Sequence, residues 1–278
     1  MNSPQTVLIT GASSGFGKAT AQCFLERGWN VIASMRKPDL SLFNGPTDRL
    51  LVLPLDVTNL ESIDGALNEG IRTFGRIDVL VNNAGIGLLS AFEVTPEPIL
   101  REVFETNTFG VMNVCRAVIP HMREQGRGTI INVTSSAGIA PMPLVAIYAA
   151  SKCAVEGFTE SLSYEMELVG IRMRLVEPGF APSTNFGANG APRMQGLTPP
   201  PYSEFTQAYF QRMQNYPTDY STEQDIVEAV FAAATDRGDR LRYPAGPDTN
   251  LLASLRWTTS EENYLAQMRK MFKPDLTS

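Results

Sequence analysis

Tyr148 and Lys152 stand four residues apart in YAASK, a spacing that puts two side chains on one face of a helix. A free phenol titrates at about 10, too high for ready proton exchange near neutrality. An ammonium beside it favours the phenolate and should draw that value down. Such a pair is an acid for reducing a carbonyl and, in reverse, a base for oxidising an alcohol. The commoner proton carrier is nearly absent. His121, in AVIPHMREQG, is the one histidine, and it lies at a helix end with no partner motif.

Something must hold this pair in place, and the chain's rhythm shows what. TVLIT (6–10), NVIAS (30–34), LLVLPLD (50–56), IDVLVNNAG (77–85), GTIINVTS (128–135) and IRMRLVEPG (171–179) read as strands, with RLRYPAG (240–246) as a last one. Helical spacing runs from Phe16 to Arg27 and from Thr58, in a capping box with Glu61, to about Phe74. Two more helices are expected near 97–106, behind the TPEP start, and 109–124. A long one covers Ala146–Val169, and another, capped by Ser221 and Gln224, runs to about Ala234. Near-continuous apolar strands with helices between them predict a doubly wound parallel sheet, α/β in class, as a single domain over 1–278. The segment 180–220 breaks the rhythm with Pro182, Pro192, Pro199, Pro200, Pro201 and Pro217. It is expected to be an irregular lid or binding loop.

Directly after the first strand comes TGASSGFGKAT, with Gly11, Gly15 and Gly17. A strand, a glycine turn and a helix bring backbone N–H groups and a positive dipole end to one point, which suits a pyrophosphate. At the first strand of a doubly wound sheet, that reading becomes dinucleotide binding. The spacing is G-x-x-x-G-x-G. With NNAG at 82–85 and YAASK at 148–152 in the same order, the chain resembles the short-chain dehydrogenase/reductase family, in its compact one-domain branch. The resemblance covers roughly residues 5–180, with weaker support to about 246.

The resemblance implies a Rossmann fold and a set of roles. Tyr148 is the acid/base, and Lys152 binds the nicotinamide ribose and tunes Tyr148. Ser135, 13 positions before Tyr148 in NVTSSAG, orients the substrate oxygen, with adjacent Ser136 as the alternative. Either serine lies where a parallel sheet places ligands, at the C-terminal ends of its strands. Asn107, in FETNTFG, supports a proton relay. Ser13, Ser14, Gly15, Phe16 and Gly17 cradle the phosphates with Gly11. Asp56 and Val57 lie beside the adenine, and Asn83, Ala84 and Gly85 line the cofactor. Pro178 and Gly179 pass the nicotinamide amide, which Ser183 or Thr184 contacts. Plainer readings compete: Asp56 as a loop cap, Asn107 as a helix-breaking polar residue.

The cofactor expected is NADP(H), with NAD(H) as the alternative. An acid at the end of the second strand would bind the adenosine ribose and repel a 2′-phosphate. Here Met35 stands at that place, followed by Arg36 and Lys37, which can pair with the phosphate, although Asp39 is close. The substrate expected is an apolar ketone or secondary alcohol, steroid-like or retinoid-like molecules included. The 180–220 segment supplies Phe180, Phe186, Met194, Leu197, Tyr202, Phe205, Tyr209, Phe210 and Met213, without an evident charged anchor. The contrasting class is an NADP(H)-binding sensor that performs no chemistry. It would keep the glycine loop but would not need Ser135, Tyr148 and Lys152 together.

Composition bounds the rest. A net charge of −6 and a pI near 5.0 argue against nucleic-acid binding. Cys23, Cys115 and Cys153 lack metal-ligand spacing and are expected to be buried thiols, with no metal site. The N-terminus does not read as a signal peptide, and no apolar run reaches the roughly 20 residues of a membrane span, so a cytoplasmic protein is expected. By resemblance, association as a homodimer or homotetramer would use the helices near 97–124 and 146–169.

Overall fold

The computed structural model describes residues 4–45, 47–182, 184 and 186–274. In chain order its main elements are β1 (Thr6–Thr10), α1 (Gly15–Glu26), β2 (Asn30–Met35), β3 (Leu50–Pro54), α2 (Leu60–Phe74), β4 (Val79–Asn82), α3 (Glu97–Phe104), α4 (Gly110–Glu124) and β5 (Gly128–Val133). There follow a one-turn α5 (Ser136–Ile139), α6 (Ala146–Glu167), β6 (Ile171–Pro178), α7 (Phe186–Met194), α8 (Tyr202–Met213), α9 (Glu223–Thr235), β7 (Arg242–Ala245), α10 (Pro247–Thr258) and α11 (Glu261–Phe272).

The seven strands form one parallel sheet in the order β3-β2-β1-β4-β5-β6-β7. The order reverses between β1 and β4, and at that crevice a doubly wound sheet opens toward ligands. Register explains why the strands read as unbroken apolar runs. Val7 pairs with Val31 and Leu8 with Ile32. The odd set (Val7, Ile9, Val31, Val79, Val81) packs under α1 and α9. The even set (Leu8, Ile32, Leu80, Ile130) packs under the helices of the opposite face, where Ile63, Val114 and Val155 meet it. A sheet covered on both faces buries both sides of its inner strands, so period-two alternation disappears there. No helix among the described residues is long and apolar enough to cross a membrane.

Several local expectations need correction. The cap of α2 is Asn59, whose side chain accepts from Ser62 N–H at 3.0 Å; Thr58 instead spends its hydroxyl on Asp56 Oδ1 at 2.7 Å. The cap of α9 is Thr222, in a reciprocal capping box with Asp225. Ser221 is withdrawn into the interior, where its hydroxyl reaches Asp248 Oδ1 at 2.5 Å. The two helices expected at 97–106 and 109–124 are one run, joined by a π turn at Glu105–Phe109. The 180–220 segment is not irregular throughout: its prolines punctuate α7 and α8, with Pro201 standing just ahead of α8. Of the three thiols only Cys115 is buried, Cys23 being partly so and Cys153 exposed. Lys152 points inward, and the next residue on a helix turns about 100° away.

Candidate active site

At the switch point, glycines are required by backbone contact. Gly11 has φ +68°, and a Cβ there would lie 2.8 Å from Ala84 Cα. A Cβ on Gly17 would stand 2.4 Å from both Gly11 O and Asn83 Nδ2. Only bare backbone fits where the glycine turn meets the NNAG segment. Asn83 donates from Nδ2 to Thr10 O (2.9 Å) and Gly11 O (3.2 Å), while Asn83 and Ala84 N–H groups both donate to Thr10 Oγ1. Thr10 thus wires the two segments together, a role its sequence position did not announce. Ser14 precedes α1 without a side-chain capping bond, and the first turn carries no acid. Orphan N–H groups and an unneutralised dipole end suit a bound phosphate. Ser13, Ser14, Gly15 and Lys18 open onto a groove of about 690 Å³ along α1. Phe16, partly buried, packs against the core cluster.

The four candidate catalytic residues converge beyond the ends of β4 and β5. The π turn carries Asn107 into the interior, where it is fully buried. Its Oδ1 accepts from Ile86 N–H at 2.8 Å, and its Nδ2 donates to Ile86 O at 2.9 Å and Ser151 Oγ at 3.1 Å. A π turn in a helix often marks a working site. Gly85 brings the strand exit against it: a Cβ there would meet Asn107 Oδ1 at 3.3 Å and Lys152 Nζ at 3.5 Å. Ser135 caps α5, accepting from Ala137 N–H at 3.1 Å, and is hydrogen-bonded to Tyr148. Ser136 is buried at the first position of α5, so Ser135 is the serine the structure brings to Tyr148.

Lys152 is 5% exposed; its Nζ donates to Val133 O at 3.1 Å and lies 5.8 Å from the Tyr148 ring centroid. Burial drives its ammonium down to about 8, against the opposing charge of Glu156. Burial also pushes the Tyr148 phenol up to about 12, and the bond with Ser135 offsets this only in part. This corrects the expectation of a lowered phenol. The lysine spends its nearest contact on a carbonyl, and desolvation outweighs its pull on the phenolate.

The remaining candidates fall into place unevenly. Arg36 and Lys37 are exposed just beyond β2. Asp39 is occupied by Ser41, accepting its N–H at 2.9 Å and its hydroxyl at 2.6 Å. Asp56 accepts from Thr58 N–H and hydroxyl, which with Arg36 hold its carboxyl below the usual range. It therefore does act as a loop cap, beside the Arg36 charge. The Val57 side chain belongs to the core under Gly110, leaving only its backbone for a ligand. Pro178 ends β6 in the interior. Gly179 is held against Asp248, whose Oδ2 accepts from Phe180 N–H at 2.7 Å. Thr184 turns its hydroxyl onto Ala181 O at 2.9 Å, and Ser183 lies outside the described residues.

Among the described residues, the part of the segment beside Tyr148 is fastened by side-chain and backbone bonds. Arg193 of α7 makes a two-pronged pair with Glu102 of α3, at 2.7 and 3.0 Å, and Ala91 N–H donates to Leu197 O at 2.8 Å. Tyr148 packs in an apolar group with Leu88, Ile147, Met194 and Leu197.

An all-parallel doubly wound sheet with a glycine turn at its switch point defines a Rossmann-like protein. The short chain dehydrogenase family model matches residues 5–193, and the chain belongs to that family of oxidoreductases. It is 45% identical over 176 residues to a 3-ketodihydrosphingosine reductase of Bacteroides thetaiotaomicron, covering 63% of this chain and 64% of that one. To retinol dehydrogenase 8 of Bos taurus it is 39% identical over 189 residues, covering 64% and 59%. The matches thus span less than two thirds of either relative. Among solved structures, a short-chain dehydrogenase from Streptomyces avermitilis superposes with a TM-score of 0.80 at 31% identity, over 97% of both chains. Two at 25% identity carry cofactors: one from Burkholderia cenocepacia with NADP (TM-score 0.74, 96% and 98% covered) and one from Burkholderia phymatum with NAD (0.76, 99% and 98%). Structural neighbours therefore bind either nicotinamide cofactor.

Proposed function

We propose that the chain interconverts a carbonyl and a secondary alcohol on an apolar small molecule, with NADP(H) as the preferred cofactor. The observation that carries this is that Ser135 bonds Tyr148, Lys152 Nζ lies 5.8 Å from the Tyr148 ring centroid, and Asn107 and Lys152 both border Gly85 at the strand exit. The bound nicotinamide supplies or accepts the hydride. In reduction, Ser135 and Tyr148 would hydrogen-bond the carbonyl oxygen, and Tyr148 would give that oxygen its proton. Burial keeps the Tyr148 phenol protonated at neutral pH, so the proton is in place, but it also makes the phenol a weaker acid, and Ser135 and Lys152 are the groups that ease its release. Lys152 stabilises the phenolate left behind, and Asn107 keeps Ile86 and Ser151 fixed beside the lysine. Oxidation runs the same steps backwards.

Supporting the cofactor preference, Met35 rather than an acid stands at the end of β2, Asp39 Oδ1 is turned onto Ser41, and Arg36 and Lys37 are exposed beside it. Supporting the apolar substrate, Leu88, Ile147, Met194 and Leu197 surround Tyr148. The two relatives are named for 3-ketodihydrosphingosine and retinol, each a polar group on a long hydrocarbon. Association through α4 and α6 belongs to the same reading, because Phe109, Tyr164 and Leu168 expose large apolar surface there. A panel of keto-lipids, retinoids and steroid ketones, with NADPH consumption measured, tests the assignment. Tyr148→Phe should lower turnover by about 10³-fold, the scale of a lost general acid, and leave NADPH binding intact. Unchanged turnover would mean that another group is the acid, and no turnover across the whole panel would favour the sensor.

A further inference from the structure

One helical turn beyond Lys152 lies a charged group that the reaction above does not use. Glu156 is 6% exposed and Glu177, near the C-terminal end of β6 beside the edge strand β7, is fully buried. Arg242 reaches over from β7: Nη1 bonds Glu156 Oε2 and Glu177 Oε1 (2.6 Å), and Nη2 bonds Glu160 Oε1 at 2.6 Å. Its guanidinium rests 5.2 Å from the Trp257 ring centroid on α10. Thr134, the residue after the carbonyl that holds Lys152, donates its hydroxyl to Glu156 Oε1. Gly138 seals the space between them, since a Cβ there would stand 3.2 Å from Glu156 Cγ and 3.5 Å from Lys152 Cβ.

Counting charges sorts the roles. Glu156, Glu160 and Glu177 would give three negative charges against Lys152 and Arg242. Glu177 Oε2 has no hydrogen-bond partner among the described residues. A buried carboxylate oxygen without a donor is costly, whereas the protonated acid removes the surplus charge. Burial, with the charge of Glu156, accordingly pushes Glu177 up to about 8. Lys152 and Arg242, with the exposed Arg240 acting on Glu177, then face Glu156 and Glu160; burial raises Glu156 as well, against the opposing pull of the Thr134 hydroxyl and Arg242. The other groups facing Lys152 are neutral near pH 7: Tyr148 on its own helix, Asn107 from the π turn and Ser135 from α5. Arg256 acts on Cys153, on the outer side of α6.

We propose that Glu156, clamped between Thr134 and Arg242, is a positioning residue that keeps the Lys152 ammonium charged in its buried setting, with Glu177 as the neutral member that leaves the negative charge on Glu156. The proposal rests on Lys152 serving the Tyr148 site, yet its test needs neither cofactor nor substrate. The chain has five lysines, so ¹³C-lysine labelling with Lys152→Met for assignment reads the Lys152 titration directly in the full-length protein. In Glu156→Gln the Lys152 midpoint should fall by about one pH unit, the scale of losing a neighbouring opposite charge. Thr134→Val, which keeps the carboxylate but removes its donor, should move it the same way by less. Glu177→Gln should move it less than Glu156→Gln.

An unmoved or raised midpoint in Glu156→Gln, with the fold intact by circular dichroism, overturns the proposal. A larger effect from Glu177→Gln does the same. If Glu156→Gln does not fold, an unmoved midpoint in Thr134→Val decides against it. The two readings fail separately. A protein inactive across the panel but showing the shift loses the oxidoreductase assignment alone, and an active one without the shift loses only this role for Glu156.

Discussion

The switch point where β1 meets β4 and the segment from 180 onward both border the Tyr148–Lys152 pair, but they are held in different ways. At the first, backbone and side chain are cross-wired: Thr10 alone takes two N–H groups from the NNAG strand exit, and Gly17 leaves no space for a methyl. At the second, α7 is tied to α3 by one partly exposed ion pair and rests on apolar side chains. Cross-wiring suits a ligand whose shape does not vary, and soft apolar contact suits one that does. The first region should therefore govern the cofactor and the second the substrate.

That contrast can be broken. The largest effect is expected from Gly17→Ala, whose Cβ would stand 2.4 Å from the Gly11 carbonyl oxygen. Overpacking of this kind costs about 2 kcal/mol or more. Both the denaturant midpoint and cofactor affinity should fall, and unchanged NADPH binding would show the turn to be softer than described. Next comes pH. Glu177 ordinarily titrates at 4.5 and is raised to about 8 in the fold, so the folded state keeps a proton that the unfolded chain sheds. The stability it contributes is full below 4.5 and is lost as pH rises to about 8. Glu177→Gln should therefore gain stability relative to the parent between pH 5 and 8, by an amount on the order of a few kcal/mol. Parallel pH profiles would contradict the raised value.

Arg36→Ala should weaken NADPH binding about tenfold, roughly 1.4 kcal/mol, and leave NADH nearly unchanged. Equal losses for both cofactors, or tighter binding of NADH by the parent, would exclude a 2′-phosphate contact. The smallest effect belongs to Arg193→Ala. A pair this exposed is worth about 1 kcal/mol at most, so KM for a bulky substrate should rise a few-fold with NADPH affinity unmoved. A change in cofactor affinity instead would erase the division between the two regions.

Much of this was legible along the chain, and the failures have local causes. The strands and most helices stand where apolar runs put them, because a sheet covered on both faces demands such runs. Caps slipped by one residue at Asn59 and Thr222, where neighbouring Thr58 and Ser221 offer the same chemistry but are claimed by Asp56 two positions back and by Asp248 across the fold. The glycine turn, Ser135, Tyr148 and Lys152 form a pattern in sequence order, which is why their meeting could be expected. The direction of the phenol's shift could not, since it depends on how much water burial removes. Glu156, Glu177 and Arg242 were invisible for a different reason. Arg242 lies 86 positions from Glu156 and 65 from Glu177, and only β6 and β7 pairing joins them. A glutamate in the apolar run LVEP was the one available hint.

The π turn at Glu105–Phe109 ties the chemistry to the architecture. It is one residue too many for an α-helical turn. Deleting one position there would restore a regular helix and rotate everything after it by about 100°. Val111, Val114, Cys115, Val118 and Met122 now point into the interior, and they would swing off it together. The irregularity that turns Asn107 inward thus cannot be edited out alone. It works like a keyed joint, where straightening the bend would misalign the whole length of α4.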